Sequence, residues 1–190
     1  MIEKSRTTKE TNIALRLDLT SSDSISIATG VPFFDHMLTA MSFHGGFSLQ
    51  VDASGDIEVD PHHVVEDVGL VIGDALRDHL KQNEPVARYG HSVVPMDDAL
   101  SEVAIDVCER PYLVYAAAFP QQWIGTFQVS LVREYLLGLS NRAAINLHAH
   151  CRYGENSHHM VESLFKALGR AITAAYGPRL GRGMSTKGTL

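Results

Sequence analysis

The chain has 190 residues, 45% hydrophobic and 20% charged, a length and composition that suit one compact domain with a substantial core. Its formal net charge of −6 argues against a protein that coats nucleic acid, because such proteins carry an excess of Lys and Arg on one face. No apolar run is long enough to cross a bilayer, the first twelve residues lack the apolar stretch of a secretory signal, and Cys108 and Cys151 form no C-x-x-C pair, so a cytoplasmic chain with reduced thiols is expected.

Ile13, Leu15, Leu17 and Leu19 alternate with polar residues, the period-2 mark of a half-buried strand over 12–19. Ser21-Ser22-Asp23 reads as a turn into a second short strand at Ile25 and Ile27, so a hairpin is expected to open the fold. Gly30 and Pro32 lead into a short helix within Phe33 to Phe43, stopped by Gly45-Gly46. Phe47, Leu49 and Val51 alternate as a further strand, 52–60 is a polar connection, and Val65, Val68, Ile72, Leu76 and Leu80 set a long helix from His62.

The second half repeats this order. Strands over 99–107 and 112–118 precede a helix at 128–139, a strand at 143–150 and a helix at 157–176, for which Ser157 is a candidate N-cap. The expected fold class is α/β (α+β): duplicated β-β-α-β-α halves, about 6–86 and 87–176, forming one pseudo-symmetric domain with two sheets and helices packed between them. Glycines at 177, 181, 183 and 188 suggest that 177–190 is a flexible tail able to close over a ligand.

Duplication is most legible in a His-His-x-x-Glu cassette. His62, His63 and Glu66 recur as His158, His159 and Glu162, each 96 positions on, while Leu49 and Leu147 are 98 apart. Residues four apart share a helix face, so His62 with Glu66, and His158 with Glu162, can converge on one ion. Their neighbours His63 and His159 lie roughly 100° around the axis and must reach toward a different ion. Two facing cassettes, in one subunit or across an interface, would therefore hold two ions. Imidazoles with carboxylates suit Mn²⁺, Fe²⁺ or Zn²⁺, and the absence of thiolates disfavours a structural zinc site. In the preceding helices, His36 and Glu134 stand at equivalent places and are further candidate ligands, although Glu134 could instead pair with Arg133 or point away.

Ordered motifs cover nearly the whole chain: Arg6-Thr7-Thr8-Lys9-Glu10-Thr11, Gly30-Val31-Pro32-Phe33-Phe34-Asp35-His36-Met37-Leu38, His62-His63-Val64-Val65-Glu66-Asp67, Arg88-Tyr89-Gly90, Pro95-Met96-Asp97-Asp98-Ala99-Leu100, Arg110-Pro111-Tyr112-Leu113, the second cassette through Ala167, and Ser185-Thr186-Lys187-Gly188. On these motifs the chain resembles the imidazoleglycerol-phosphate dehydratase family of histidine biosynthesis. The resemblance implies dehydration of D-erythro-imidazole glycerol phosphate to imidazole acetol phosphate in a di-manganese site, with two Mn²⁺ holding the ring as an imidazolate that acts as electron sink. It further implies Glu10 as the acid/base carboxylate and Arg88, Arg110, Lys166, Ser185 and Lys187 as substrate-phosphate contacts. Trimers assembling into an octahedral 24-mer shell, with sites shared between subunits, are implied as well. The chain departs from the family pattern where Arg133-Glu134 replaces Glu-His and where Thr39-Ala40 replaces Asp-Gln. Alternatives are therefore a diverged paralogue that keeps fold and metals but has lost or altered the activity, and a metal-assembled scaffold. Ending at Leu190, the chain is expected to be monofunctional.

Overall fold

A computed structural model describes residues 1–83 and 85–179 of the chain. The first half comprises β1 (Ile2–Thr7), β2 (Thr11–Asp18), β3 (Ile25–Ala28), α1 (Pro32–Gly45), β4 (Ser48–Gly55) and α2 (His62–Asn83). The second comprises β5 (Tyr89–Met96), β6 (Ala99–Val107), β7 (Tyr112–Ala116), the short β8 (Trp123–Ile124) and β9 (Phe127–Gln128), α3 (Leu131–Ala143), β10 (Ile145–Tyr153) and α4 (Ser157–Tyr176). The architecture is mixed α/β, with two four-stranded sheets and four helices, as expected.

Alternation sets the strands that pack on the core. Ile13, Leu15 and Leu17 of β2 are buried while the residues between them face outward, and β6 alternates in the same way. Four strands escaped the sequence reading: β1, β5 and the two-residue β8 and β9, of which β9 reaches into the expected start of the third helix. In β1 only Ile2 is buried, and the inward face of β5 presents the small Gly90 and Ser92 closely against α4; both are edge strands, paired with β2 and β6, and neither shows a hydrophobic alternation. The common frame of the two halves is therefore β-β-β-α-β-α, to which the second half adds β8 and β9. The opening hairpin is β1 with β2, and not β2 with β3 as expected: β4 inserts between β2 and β3, antiparallel to one and parallel to the other. A parallel partner requires a crossover, which α1 supplies. The connection after β4 is also shorter than expected, because the strand continues to Gly55.

The two sheets have one topology, β1-β2-β4-β3 and β5-β6-β10-β7. Leu49 lies between Leu17 and Ile25, and Leu147 between Ile105 and Leu113, so the 98-residue spacing of the two leucines is a true structural equivalence. The first three strands of each half are related by 88 positions; the ten extra residues before α3 accommodate β8 and β9.

All four helices lie between the sheets, α2 against α3 and α1 against α4. Equivalent glycines permit both crossings. A Cβ on Gly73 would meet the Leu139 carbonyl at 2.6 Å, and one on Gly169 would collide with the carbonyl of Met41, the residue equivalent to Leu139. A single apolar core runs through both halves, with Phe34, Tyr135 and Phe165 buried at its middle and in mutual ring contact. Among the described residues no helix is long and apolar enough to cross a membrane.

Candidate metal centre

Each cassette opens a helix. Asp60 accepts from the His62 N–H at the start of α2, and Asn156, not Ser157, caps α4 by accepting from the His158 N–H at 2.9 Å. Ser157 is turned inward, bonded to Gln121. Anchored in this way, the first histidine and the glutamate of each cassette meet as the helical spacing requires: His62 Nε2 lies 3.3 Å from Glu66 and His158 Nε2 lies 3.2 Å from Glu162.

α1 adds a third donor to the second cassette. Just past the first turn, which Pro32 starts, it presents His36 with Nε2 3.4 Å from Glu162. Donor atoms of His36, His158 and Glu162 all lie within 4.8 Å of one another, the one such His/Cys/Asp/Glu trio among the described residues. Burial alone would raise the Glu162 carboxyl; the hydrogen bond and charge of Lys166, with the His36 and His158 rings, outweigh it and hold the carboxyl below its ordinary value. Lys166 Nζ sits 2.9 Å from Glu162, so the two side chains share one face as the four-residue spacing predicts.

The first half differs. Glu134, the positional counterpart of His36, is bonded to Arg133 at 3.1 Å and does not join His62 and Glu66 in a three-donor group. Nor do the two cassettes converge within one chain: no group of donors among the described residues contains members of both. The reason is the packing, which pairs α2 with α3 and α4 with α1, so each cassette faces the other half's first helix and not the other cassette.

His63 and His159 diverge from their neighbours, with ring planes inclined 90° and 75° to those of His62 and His158. His63 Nδ1 bonds Asp56 at 3.1 Å, and its Nε2 lies 3.8 Å from Glu10, in the turn between β1 and β2. The Asp56 hydrogen bond is the main cause that raises the His63 pKa above its ordinary value. His159 Nδ1 bonds Asp98 at 2.5 Å, and its Nε2 lies 3.7 Å from Asp97, both in the β5–β6 turn. The His159 ring, followed by the backbone N–H groups of Glu155 and Asn156, holds the Asp98 carboxyl well below the usual carboxylate range. Sequence reasoning gave Asp56, Asp97 and Asp98 no role; the only signal was the position of Asp97-Asp98 inside a motif.

Of the expected phosphate contacts, Arg88 has a left-handed backbone at φ 77° and grips Asp106 through Nε at 2.7 Å and a second nitrogen at 3.2 Å. Arg110 is exposed in the turn between β6 and β7. Lys166 contacts Met96 at the far end of β5 from Arg88, so roughly 23 Å of strand separates them and one chain does not gather Arg88 and Lys166 around one phosphate. Ser185, Lys187 and most of the expected tail lie outside the described residues.

The family model described as imidazoleglycerol-phosphate dehydratase matches residues 29–172. The chain is 49% identical over 187 residues to the imidazoleglycerol-phosphate dehydratase of Geobacter metallireducens, covering 97% of this chain and 96% of that one. It is 47% identical to that of Shouchella clausii over 99% of this chain and 97% of the relative. The fold is similar to the structure of IGPD from Pyrococcus furiosus in complex with (S)-C348, at TM-score 0.87 and 37% identity, covering 98% of this chain and all of the other. It is also similar to imidazoleglycerol-phosphate dehydratase from Staphylococcus aureus, at TM-score 0.81 and 38% identity over 92% and 96% of the two chains.

Proposed function

The chain belongs to the imidazoleglycerol-phosphate dehydratase family and is a hydro-lyase, and from that premise we propose that it converts D-erythro-imidazole glycerol phosphate to imidazole acetol phosphate in histidine biosynthesis. The observation that carries this reading is the convergence of His36, His158 and Glu162, with Lys166 beside them. Two imidazoles and a carboxylate without thiolate fit a hard-to-borderline divalent ion such as Mn²⁺. His36, His158 and Glu162 would hold one ion and His62 with Glu66 a second; His63 and His159, turned away from their neighbours, would reach ions belonging to other subunits. When bound, the ions would stabilise the deprotonated imidazole ring of the substrate, whose electrons help to expel the hydroxyl from the carbon attached to it.

The chain's own groups then divide the work. The reaction removes the hydroxyl on the ring-bearing carbon as water and a proton from the adjacent carbon, leaving an enol that becomes the ketone. Glu10, on an exposed turn 3.8 Å from His63, is the carboxylate we assign to carrying that proton at its Oε atoms. Arg88, Arg110 and Lys166 bind the phosphate, joined by Ser185 and Lys187 of the tail. The separation of Arg88 from Lys166 supports a complete phosphate site built from more than one subunit, in line with a cytoplasmic 24-mer of trimers. The substrate is a small phosphorylated imidazole; neither nucleic acid nor a membrane is a partner in this reading.

The test is an assay of the purified, Mn²⁺-loaded protein with imidazole glycerol phosphate, together with rescue of a histidine auxotroph. Absence of both turnover and rescue would sink the dehydratase reading. One observation favours a second reading: Glu134 is paired with Arg133, which leaves the first cassette one donor short. A protein that binds Mn²⁺ and assembles, yet neither turns over nor rescues, would be the diverged paralogue or a metal-assembled scaffold.

A further inference from the structure

His63 and His159 make the same bond in different ways. In each, Nδ1 lies at hydrogen-bond distance from an aspartate, and an ionised carboxylate can only accept, so Nδ1 donates, while Nε2 stands 3.8 Å from Glu10 in one ring and 3.7 Å from Asp97 in the other, beyond hydrogen-bond distance. Yet the two aspartates are not equivalent in the repeat. Asp56 follows β4, whereas Asp98 lies in the β5–β6 turn, and the 88-residue relation of the first strands places Glu10 at the counterpart position of Asp98. The halves therefore reach one tautomer from two different loops. Simple inheritance from a duplicated ancestor does not account for that, and a shared requirement on Nε2 does.

The division also explains what Glu10 is free to do. Because Asp56 occupies Nδ1 of His63, Glu10 approaches the opposite nitrogen. In the second half Asp98 takes the Nδ1 position, and Asp97, next to it on the turn, faces Nε2.

We propose that Asp56 and Asp98 are positioning residues for metal binding: each takes the Nδ1 proton of its histidine, fixes the ring plane and directs the Nε2 lone pair outward to a divalent cation. This rests on the reading of His63 and His159 as metal ligands. A carboxylate behind a ligating imidazole both fixes its tautomer and raises its basicity, and losing such a partner costs about 10–100-fold in metal affinity. Asp98 has a second task, accepting from the Glu155 and Asn156 N–H groups that lead into α4, so removing its side chain would loosen the loop as well.

Asn substitution separates the two tasks, since an amide oxygen still accepts from backbone N–H groups but is a weaker partner for an imidazole. Asp56→Asn and Asp98→Asn are each expected to weaken Mn²⁺ binding by about 10–100-fold, measured by calorimetry or by the Mn²⁺ resonance signal. The thermal midpoint of the chelator-treated protein should stay near wild type, a quantity that a merely structural role would move. Wild-type affinity in both Asn variants, while His63→Ala and His159→Ala lose affinity, overturns the positioning proposal and leaves the ligand reading standing. Unchanged affinity in the His→Ala variants as well overturns both. A fall in the metal-free thermal midpoint that accounts for all the lost affinity overturns it too, by assigning the aspartates a structural role.

Discussion

Gly46 and Ala144, 98 positions apart, end equivalent helices in the same left-handed conformation, with φ of 70° and 54°. Each donates its backbone N–H back to the last turn, to Ser42 and Ser140. The geometry is common to the repeat, but only one half has the residue that adopts it without strain. Ala144→Gly is expected to stabilise the protein by about 0.5–1 kcal/mol, the relief of left-handed strain less the extra backbone entropy of the unfolded chain. A urea midpoint at or below wild type would contradict this.

A second asymmetry concerns Asp67, which is buried and bridges the start of α2 to the first hairpin. Arg6 Nε approaches its Oδ1 at 3.0 Å, and Thr11 donates to Oδ2 at 2.5 Å. Its counterpart in the second half is Ser163, bonded to Ser101 by a neutral hydrogen bond at 2.7 Å. The charged clamp thus sits on the half whose turn carries Glu10, between Arg6 and Thr11. Asp67→Ala removes the shared acceptor, leaving the buried Thr11 hydroxyl only its contact with Thr8 while Arg6 turns to solvent, and is expected to cost about 2 kcal/mol, lowering the thermal midpoint by about 4–8 °C. Turnover should fall more than metal content, because Glu10 loses its anchor.

For Glu10 itself, Glu10→Gln keeps size and hydrogen bonding while removing the titratable carboxyl. The expected result is a turnover at least about 10²-fold lower with unchanged Mn²⁺ content and assembly. Retained activity at wild-type metal content would remove Glu10 as the proton carrier.

His79 offers a test of pH dependence away from the metal residues. It is buried on α2; desolvation lowers its pKa below 6.5, against the opposing pull of a backbone hydrogen bond with Tyr176 and the charge of Asp18. With the folded pKa below the unfolded one, the unfolded chain binds more protons once the pH falls under 6.5, so this residue's contribution is intact above that value and lost below it. Urea midpoints of chelator-treated protein at pH 7.5, 6.5 and 5.5 should therefore decline toward acid, and His79→Gln should flatten that decline. An equal slope in the variant would show that His79 is not its source.

Strong periodicity made the core strands and long helices legible in the sequence. Ile13-Leu15-Leu17 and the cassette helices bury a regular face, and a buried face must be written in the residues. The edge strands β1 and β5 were not legible, because β1 buries only Ile2 and β5 meets α4 through Gly90 and Ser92, residues too small or polar to mark a buried face. Within the cassettes, His62 with Glu66 and His158 with Glu162 followed from helical spacing alone, and the equivalence of His36 with Glu134 from counting along the repeat.

What the sequence determined by itself, then, was local: the repeat, the donor types and every pair four residues apart on one helix, since helix geometry fixes such distances without a tertiary partner. Tertiary structure decided what long-range packing controls. Helix crossings at Gly73 and Gly169 set α2 on α3 and α4 on α1, so His36 joined His158 and Glu162, Glu134 turned to Arg133, and the two cassettes stayed apart. Loops from unrelated places brought Asp56 to His63 and Asp98 to His159. The first contact closes a turn of seven residues at the start of α2, but Asp98 and His159 are 61 positions apart, and no spacing rule reaches that contact, because the chain between them folds back through a sheet whose strand order is set by the burial of the whole core and not by any one segment.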